Sequence, residues 1–184
     1  MRVLGARLAR RGFAVRFFRY PSWRGGLSDA AARLKSFVEE CAGEPVHLLG
    51  HSLGGIVIAK MLAGGAPGNL GRVALLGCPL RGSAAAERAA QSHWGRLVLG
   101  PVAREGIVSG GPGWPSGRAP LVVAGTLPLG FGLLLGVRRP HDGLIRVDET
   151  RVDGAERLDV KASHLGLLLS GNVADAVARF FRAA

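Results

Sequence analysis

Pro45-Val46-His47-Leu48-Leu49-Gly50-His51-Ser52-Leu53-Gly54-Gly55-Ile56-Val57-Ile58-Ala59-Lys60-Met61-Leu62 is the stretch that decides the fold. Its first five residues read as a short buried strand and Ile56 to Leu62 as a buried helix. Between them lies G-x-S-x-G, so the order is strand, tight turn, helix. In that context the pattern is a nucleophile elbow: Ser52 is held on a strained turn with its hydroxyl exposed above a sheet, and the glycines let strand and helix approach closely. The bare pattern is weak. With 29 glycines in 184 residues, chance supplies it in about one chain in four, so the flanking strand and helix carry the inference.

A nucleophilic serine needs a base and an orienting acid, which in this architecture follow in the chain order Ser, Asp or Glu, His. His164 lies in Val160-Lys161-Ala162-Ser163-His164-Leu165-Gly166, after a strand-like run and before the last helix. Its bland alternative is a capping or loop histidine. Asp142 lies in His141-Asp142-Gly143-Leu144-Ile145, on a glycine-containing turn after a hydrophobic strand. Asp148, Asp153 and Asp159 are nearby alternatives, and most acids in such a loop are simply solvated. Asp159 is the poorest of them, because it sits inside a strand and not beyond its C-terminal end.

Working outward, periodicity predicts strand 13 to 20, helix 28 to 42, strand 45 to 50, helix 53 to 64, strand 71 to 77, strand 119 to 125, strand 156 to 160 and helix 171 to 183. Leu4 and Leu8 are spaced i, i+4, with Gly12 as a C-terminal cap, so the chain opens on a helix. Strands alternating with helices mean α/β: a mainly parallel sheet with helices on both faces, in one domain spanning 1–184. Ser52 then falls at the C-terminal edge of that sheet, where open α/β sheets place their sites. The excursion 79–118 predicts a cap or substrate pocket with a helix from Ala84 to Leu99. Trp94 and Trp114 either line that pocket or anchor helix and loop. Ala119 to Val137 contains no charged residue, but five residues within it (Gly125, Pro128, Gly130, Gly132 and Gly136) argue against a spanning helix. It reads as a buried strand and an apolar loop, with Phe131 to Leu135 either a greasy rim or core.

These segments resemble the lipase and esterase branch of the α/β-hydrolase family, especially small lidless bacterial lipases and lipase-like serine hydrolases. Gly50-His51-Ser52-Leu53-Gly54-Gly55 matches the elbow. Leu76-Gly77-Cys78-Pro79-Leu80-Arg81-Gly82-Ser83 resembles the segment after the next strand, with Cys78 and Leu80 departing from it. His141 to Ile145 resembles the acid turn, and Ser163 to Leu168 the histidine loop. The resemblance covers nearly the whole chain, most loosely in its middle third. It implies Ser52 as nucleophile, His164 as general base and acid, Asp142 as orienting carboxylate and the Leu53 backbone N–H as an oxyanion donor, with no cofactor. It also implies strands ending in a His-Gly loop ahead of the first helix, which would supply a second donor. Met1 already falls where that helix is under way. The expectation is therefore a shortened sheet with a one-strand gap between Phe13–Tyr20 and Val46–Leu49, and a chain that is poorly soluble and weakly active. Either the reading frame opens further upstream, or another loop supplies the donor.

Composition narrows the partners. The 24 basic and 13 acidic residues give a net charge of +11, which raises nucleic acid or anionic membrane as partners. The excess is nearly all arginine, spread along the chain without aromatic interleaving. A solvated surface with no nucleic-acid role is the reading, leaving weak peripheral contact with anionic membrane open. Met1 to Leu8 has no apolar core of a signal peptide, so the default location is cytoplasmic. Cys41 and Cys78 read as buried thiols, and the histidines show no zinc spacing, so no metal is expected. Three function classes remain: a carboxylic ester hydrolase, an inert scaffold serving as an interaction module, and an acyltransferase using the same three residues.

Overall fold

The computed structural model describes residues 1–21, 25–41, 45–91, 100–108, 113–115, 117–130 and 137–183. Four parallel strands form one sheet in the spatial order β1-β2-β3-β4: β1 is Val46–His51, β2 Leu70–Leu76, β3 Leu121–Gly125 and β4 Glu156–Val160. Helices cover both faces. Helix α1 is Arg2–Ala9, α2 Leu27–Glu39, α3 Leu53–Ala63, α4 Ala84–Ala90 and α5 Gly171–Arg182. A parallel sheet buried on both faces demands apolar residues at successive positions. Val122 faces a core shared with α2 and α3, while Leu121 and Val123 face one shared with α1 and α5.

The helices follow from their sequences. In α5 the buried residues Val173, Ala174, Val177, Ala178 and Phe181 form one stripe, as a 3.6-residue repeat requires. The Ser170 hydroxyl accepts the Val173 N–H at its start, and Arg179 and Arg182 end it, favourably for the helix dipole. In α3 the residues Ile56 to Ala59, Met61 and Leu62 are all buried, so this helix fills the space between β1, β2 and α2. α1 forms as expected, with Leu4 and Leu8 buried and Gly12 at φ +89° after its end.

Two expected elements differ. Helix α4 ends at Ala90, and 92–99, including Trp94, lie outside the described residues, as do Phe131 to Leu135. The larger correction concerns Phe13–Tyr20, which is not a strand. Its side chains alternate as a strand's would: Phe13 and Val15 pack on the α1/α5 core, while Phe18 and Tyr20 pack on the α2/α3 core. Its start lies beside the start of β1, where Phe13 sits against His47 and Phe181. A strand, however, is defined by its ladder. Among the described residues no main-chain hydrogen bond joins Ala14–Tyr20 to another segment. Between this segment and β1 lies an open cavity of about 1280 Å³.

Candidate active site

Ser52 follows directly on β1 and precedes α3, at φ 52° and ψ −124°. Among the described residues it is the one non-glycine with positive φ. Such a conformation costs on the order of 1–3 kcal/mol and persists where the surroundings enforce it. Here they do: the Ser52 N–H donates to Leu76 O at 3.0 Å and the Ser52 carbonyl accepts from Gly55 N at 3.1 Å. A Cβ on Gly55 would stand 2.3 Å from Cys78 Sγ, and one on Gly50 would stand 2.8 Å from Gly55 Cα. These two glycines allow the close crossing of strand and helix. Gly54 is different, since nothing lies within 4 Å of a Cβ placed there. Among the described residues the Leu53 N–H, at the first turn of α3, has no main-chain acceptor, as the opening residues of a helix generally do not.

The acid and base arrive from the far end of the sheet. After β3 the chain makes a tight turn in which Asp142 Oδ1 accepts the N–H groups of Leu144 (3.0 Å) and Ile145 (2.7 Å). Its other oxygen, Oδ2, lies 2.7 Å from His164 Nδ1. The two loops are also tied main chain to main chain, His164 N donating to Asp142 O at 2.7 Å. Asp142 is 1% exposed and His164 8%, so the pair sits in a medium where a charged hydrogen bond is strong. Gly77 makes room for it: a Cβ there would be 3.0 Å from Asp142 Oδ2 and 3.1 Å from His164 Nδ1. The alternative acids lie elsewhere. Asp148 pairs with Arg146, Asp153 with Arg81 and Asp159 with Arg157, all at the surface.

The Ser52 hydroxyl and the His164 ring are not hydrogen-bonded to each other in this structure. In ligand-free sites such bonds are often long and tighten when substrate binds. The elements nevertheless converge. His51, the residue before Ser52, has its ring centroid 4.5 Å from that of His164, and its Nε2–H donates to the His164 carbonyl at 3.0 Å.

That contact makes His51 a residue whose role the sequence reading missed. Because a carbonyl only accepts, His51 carries a proton on Nε2. Burial, with His164 as the next cause, pushes its pKa down to about 4. The one available signal was its place beside Ser52. Glu149 was missed as well: its carboxylate accepts from Ala84 N at 2.7 Å and from Arg146 N at 2.8 Å, fastening the acid turn to α4. Burial raises its pKa. Cys78 is buried as expected, its thiol pushed up to about 12 by burial, while Cys41 is only half-buried. Trp114 is a loop anchor, donating Nε1–H to Arg118 O at 2.7 Å, in a surface cavity that does not reach Ser52. Among the described residues no three His, Cys, Asp or Glu side chains cluster as metal ligands, and no helix is long and apolar enough to cross a membrane.

A mainly parallel sheet, a serine on a strained strand-to-helix turn and a buried carboxylate–imidazole pair from later loops together define a hydrolase-type α/β protein. The chain belongs to the alpha/beta hydrolase family, whose model matches residues 1–182. Among solved structures it is similar to a lipase of Bacillus licheniformis in its mature form, at 24% identity and TM-score 0.68, covering 83% of this chain and 72% of that one. A metagenomic carboxyl esterase aligns at 17% identity and TM-score 0.68, covering 98% and 69% of the two chains. A pyrethroid hydrolase from Sphingobium faniae aligns at 16% identity and TM-score 0.62, covering 99% and 91%. No curated protein matches the chain.

Proposed function

We propose that this protein is a carboxylic ester hydrolase, lipase- or esterase-like, working through Ser52, His164 and Asp142. The observation that carries the reading is the buried 2.7 Å contact between Asp142 Oδ2 and His164 Nδ1, linked by the His51 Nε2–His164 O hydrogen bond to the turn that holds Ser52 at φ 52°. Ser52 Oγ attacks the ester carbonyl and His164 Nε2 takes its proton. The carbonyl electrons move onto oxygen, where the Leu53 N–H and the first turn of α3 stabilise the charge. As the intermediate collapses, His164 returns the proton to the leaving alcohol, and water then releases the acyl group by the same steps. Asp142 holds the imidazole with its proton on Nδ1 and supports the imidazolium that forms.

The site suits small-molecule or lipid esters. Leu165, next to His164, is 68% exposed, and Leu129, beside the acid turn, is 61% exposed. Such side chains offer an apolar rim to an acyl group. The chemistry calls for no cofactor, and the arginine excess supports weak attraction to an anionic membrane carrying such substrates. Hydrolysis of a short-chain p-nitrophenyl ester by the wild type and by Ser52→Ala tests the proposal. Turnover confined to the wild type supports it, and a Ser52→Ala chain that keeps a tenth of the rate contradicts it.

A further inference from the structure

Glu149 is buried and has no part in the proton transfers, yet it holds three main-chain groups at once. Its Oε1 accepts the N–H of Ala84 at 2.7 Å, its Oε2 accepts the N–H of Arg146 at 2.8 Å, and its main-chain carbonyl accepts the N–H of Arg81 at 3.1 Å. An ionised carboxylate only accepts, so each oxygen can take an N–H, and such charged hydrogen bonds are about twice as strong as neutral ones. Capping of α4 does not account for the arrangement. Ser83 already caps that helix by accepting the Ala86 N–H, and the Arg146 N–H lies in the hairpin that carries Asp142. In that hairpin His141 pairs with Arg146, Asp142 N donates to Ile145 O and Val147 N to Pro140 O, both at 3.0 Å. These ladder bonds use the neighbours of Arg146, so its own N–H points out of the hairpin, where Glu149 meets it. Arg81 and Ala84 belong to the segment that opens at Gly77, and a Cβ on Gly77 would stand 3.0 Å from Asp142 Oδ2 and 3.1 Å from His164 Nδ1. One side chain therefore joins the turn that bears the carboxylate to the segment that walls the carboxylate–imidazole pair.

We propose that Glu149 is a positioning residue: it clamps the acid turn to the segment from Gly77 to Ala84, and so keeps Asp142 Oδ2 at hydrogen-bond distance from His164 Nδ1. It acts through Asp142. The inference rests on the reading of Ser52, His164 and Asp142 as the groups that carry the reaction, and adds the residue that sets the geometry behind them. A displacement of about 1 Å in such a site can cost on the order of a hundred-fold in rate, whereas loss of the orienting carboxylate itself costs roughly ten-thousand-fold. The effect of Glu149 belongs at the first of these scales.

The test compares Glu149→Gln and Glu149→Ala with the wild type, by hydrolysis of a short-chain p-nitrophenyl ester and by proton NMR. Glutamine keeps one acceptor oxygen and turns an amide donor toward the other N–H, whereas alanine removes both acceptors. The expected result is a kcat lower by about tenfold in Glu149→Gln and by about a hundred-fold in Glu149→Ala, with KM within about twofold in both. The low-field resonance of the proton between His164 Nδ1 and Asp142, assigned by its absence in His164→Ala, should shift or broaden in the same order. Circular dichroism gives the folded fraction of each variant, so that rates are counted per folded chain; if the alanine variant does not fold, the glutamine variant decides. The proposal is overturned if Glu149→Gln keeps the wild-type kcat, if the resonance is unchanged in the variants, or if the loss of rate vanishes when counted per folded chain, which would leave Glu149 a structural cap. A wild type that turns over no ester would end the hydrolase reading instead, and the resonance would then decide the clamp alone: perturbed in Glu149→Gln it supports the clamp, unchanged it overturns it.

Discussion

On its β2 side, β1 is paired from Val46 to His51 with one register shift between Val46 and Leu48, and the first glycine beyond β2 opens the space that the Asp142–His164 pair occupies. On its other side the same strand faces a cavity and a segment with a strand's alternation but no ladder. The two sides divide the chemistry. On the proposed mechanism the acid–base half of the site stands on paired, buried structure, its two loops joined by the His164 N–H to Asp142 O hydrogen bond. On the same mechanism the oxyanion half includes the Leu53 N–H at the start of α3. Each well-placed oxyanion donor is worth about 2.7–4 kcal/mol, so on that mechanism the Leu53 N–H carries a substantial share of the rate.

The largest test of that division removes the acid–base half outright. Ser52→Ala and His164→Ala should each cost about a million-fold in turnover, because such residues act as a unit, with the fold intact by circular dichroism and His164→Ala melting lower because Asp142 loses its buried partner. Next comes the orienting acid. Asp142→Asn should lower the rate by roughly ten-thousand-fold through loss of the right tautomer, whereas Asp148→Asn, at a surface ion pair, should be close to silent in the same ester assay. Exchange of those two results would move the acid to the wrong loop.

A smaller effect sharpens the boundary between the two sides. His51 ties the Ser52 turn to the His164 carbonyl, so His51→Phe, which keeps the ring and removes the donor, should lower kcat by about ten- to a hundred-fold, the range of one buried hydrogen bond, with KM little changed. His51→Gln, which can still donate, should recover part of the loss. Equal damage from both variants would mean that ring shape matters and the hydrogen bond does not.

The smallest effect is on stability. Burial lowers the His51 pKa from 6.5 to about 4, so between those values the unfolded chain binds the proton and the folded chain does not. Stability from this group is complete above about pH 6.5 and is lost as pH falls toward 4, by up to about 3 kcal/mol. Urea titrations at pH 7 and pH 4.5 should show the difference in unfolding free energy shrinking in His51→Gln. An unchanged difference would place the acid sensitivity elsewhere.

Much of the fold was legible because its signals are local. The apolar runs of Leu70–Leu76 and Leu121–Gly125, the stripe of α5 and the glycine-rich turn around Ser52 each carry their own periodicity or breaker. Phe13–Tyr20 carries the same periodicity, and its side chains obey it, yet no strand forms. Pattern decides which way side chains face, whereas a ladder needs a neighbour, and the sequence of a segment does not contain its neighbour. The same limit applies at the site. The resemblance of its turn favours Asp142 over Asp148, which the residues alone leave open, whereas the contact of His51 with a carbonyl 113 residues away depends on how two loops meet. Glu149 bridging to Ala84 is a case of the same kind.

The central claim is that Ser52 is an activated nucleophile, and the most direct measurement is covalent labelling with a fluorophosphonate followed by peptide mass spectrometry. The account predicts one adduct per chain, on Ser52, abolished by Ser52→Ala and slowed severely by His164→Ala. A chain that takes up no label under conditions where it is folded, or that carries the label on another residue while Ser52 stays free, would contradict it.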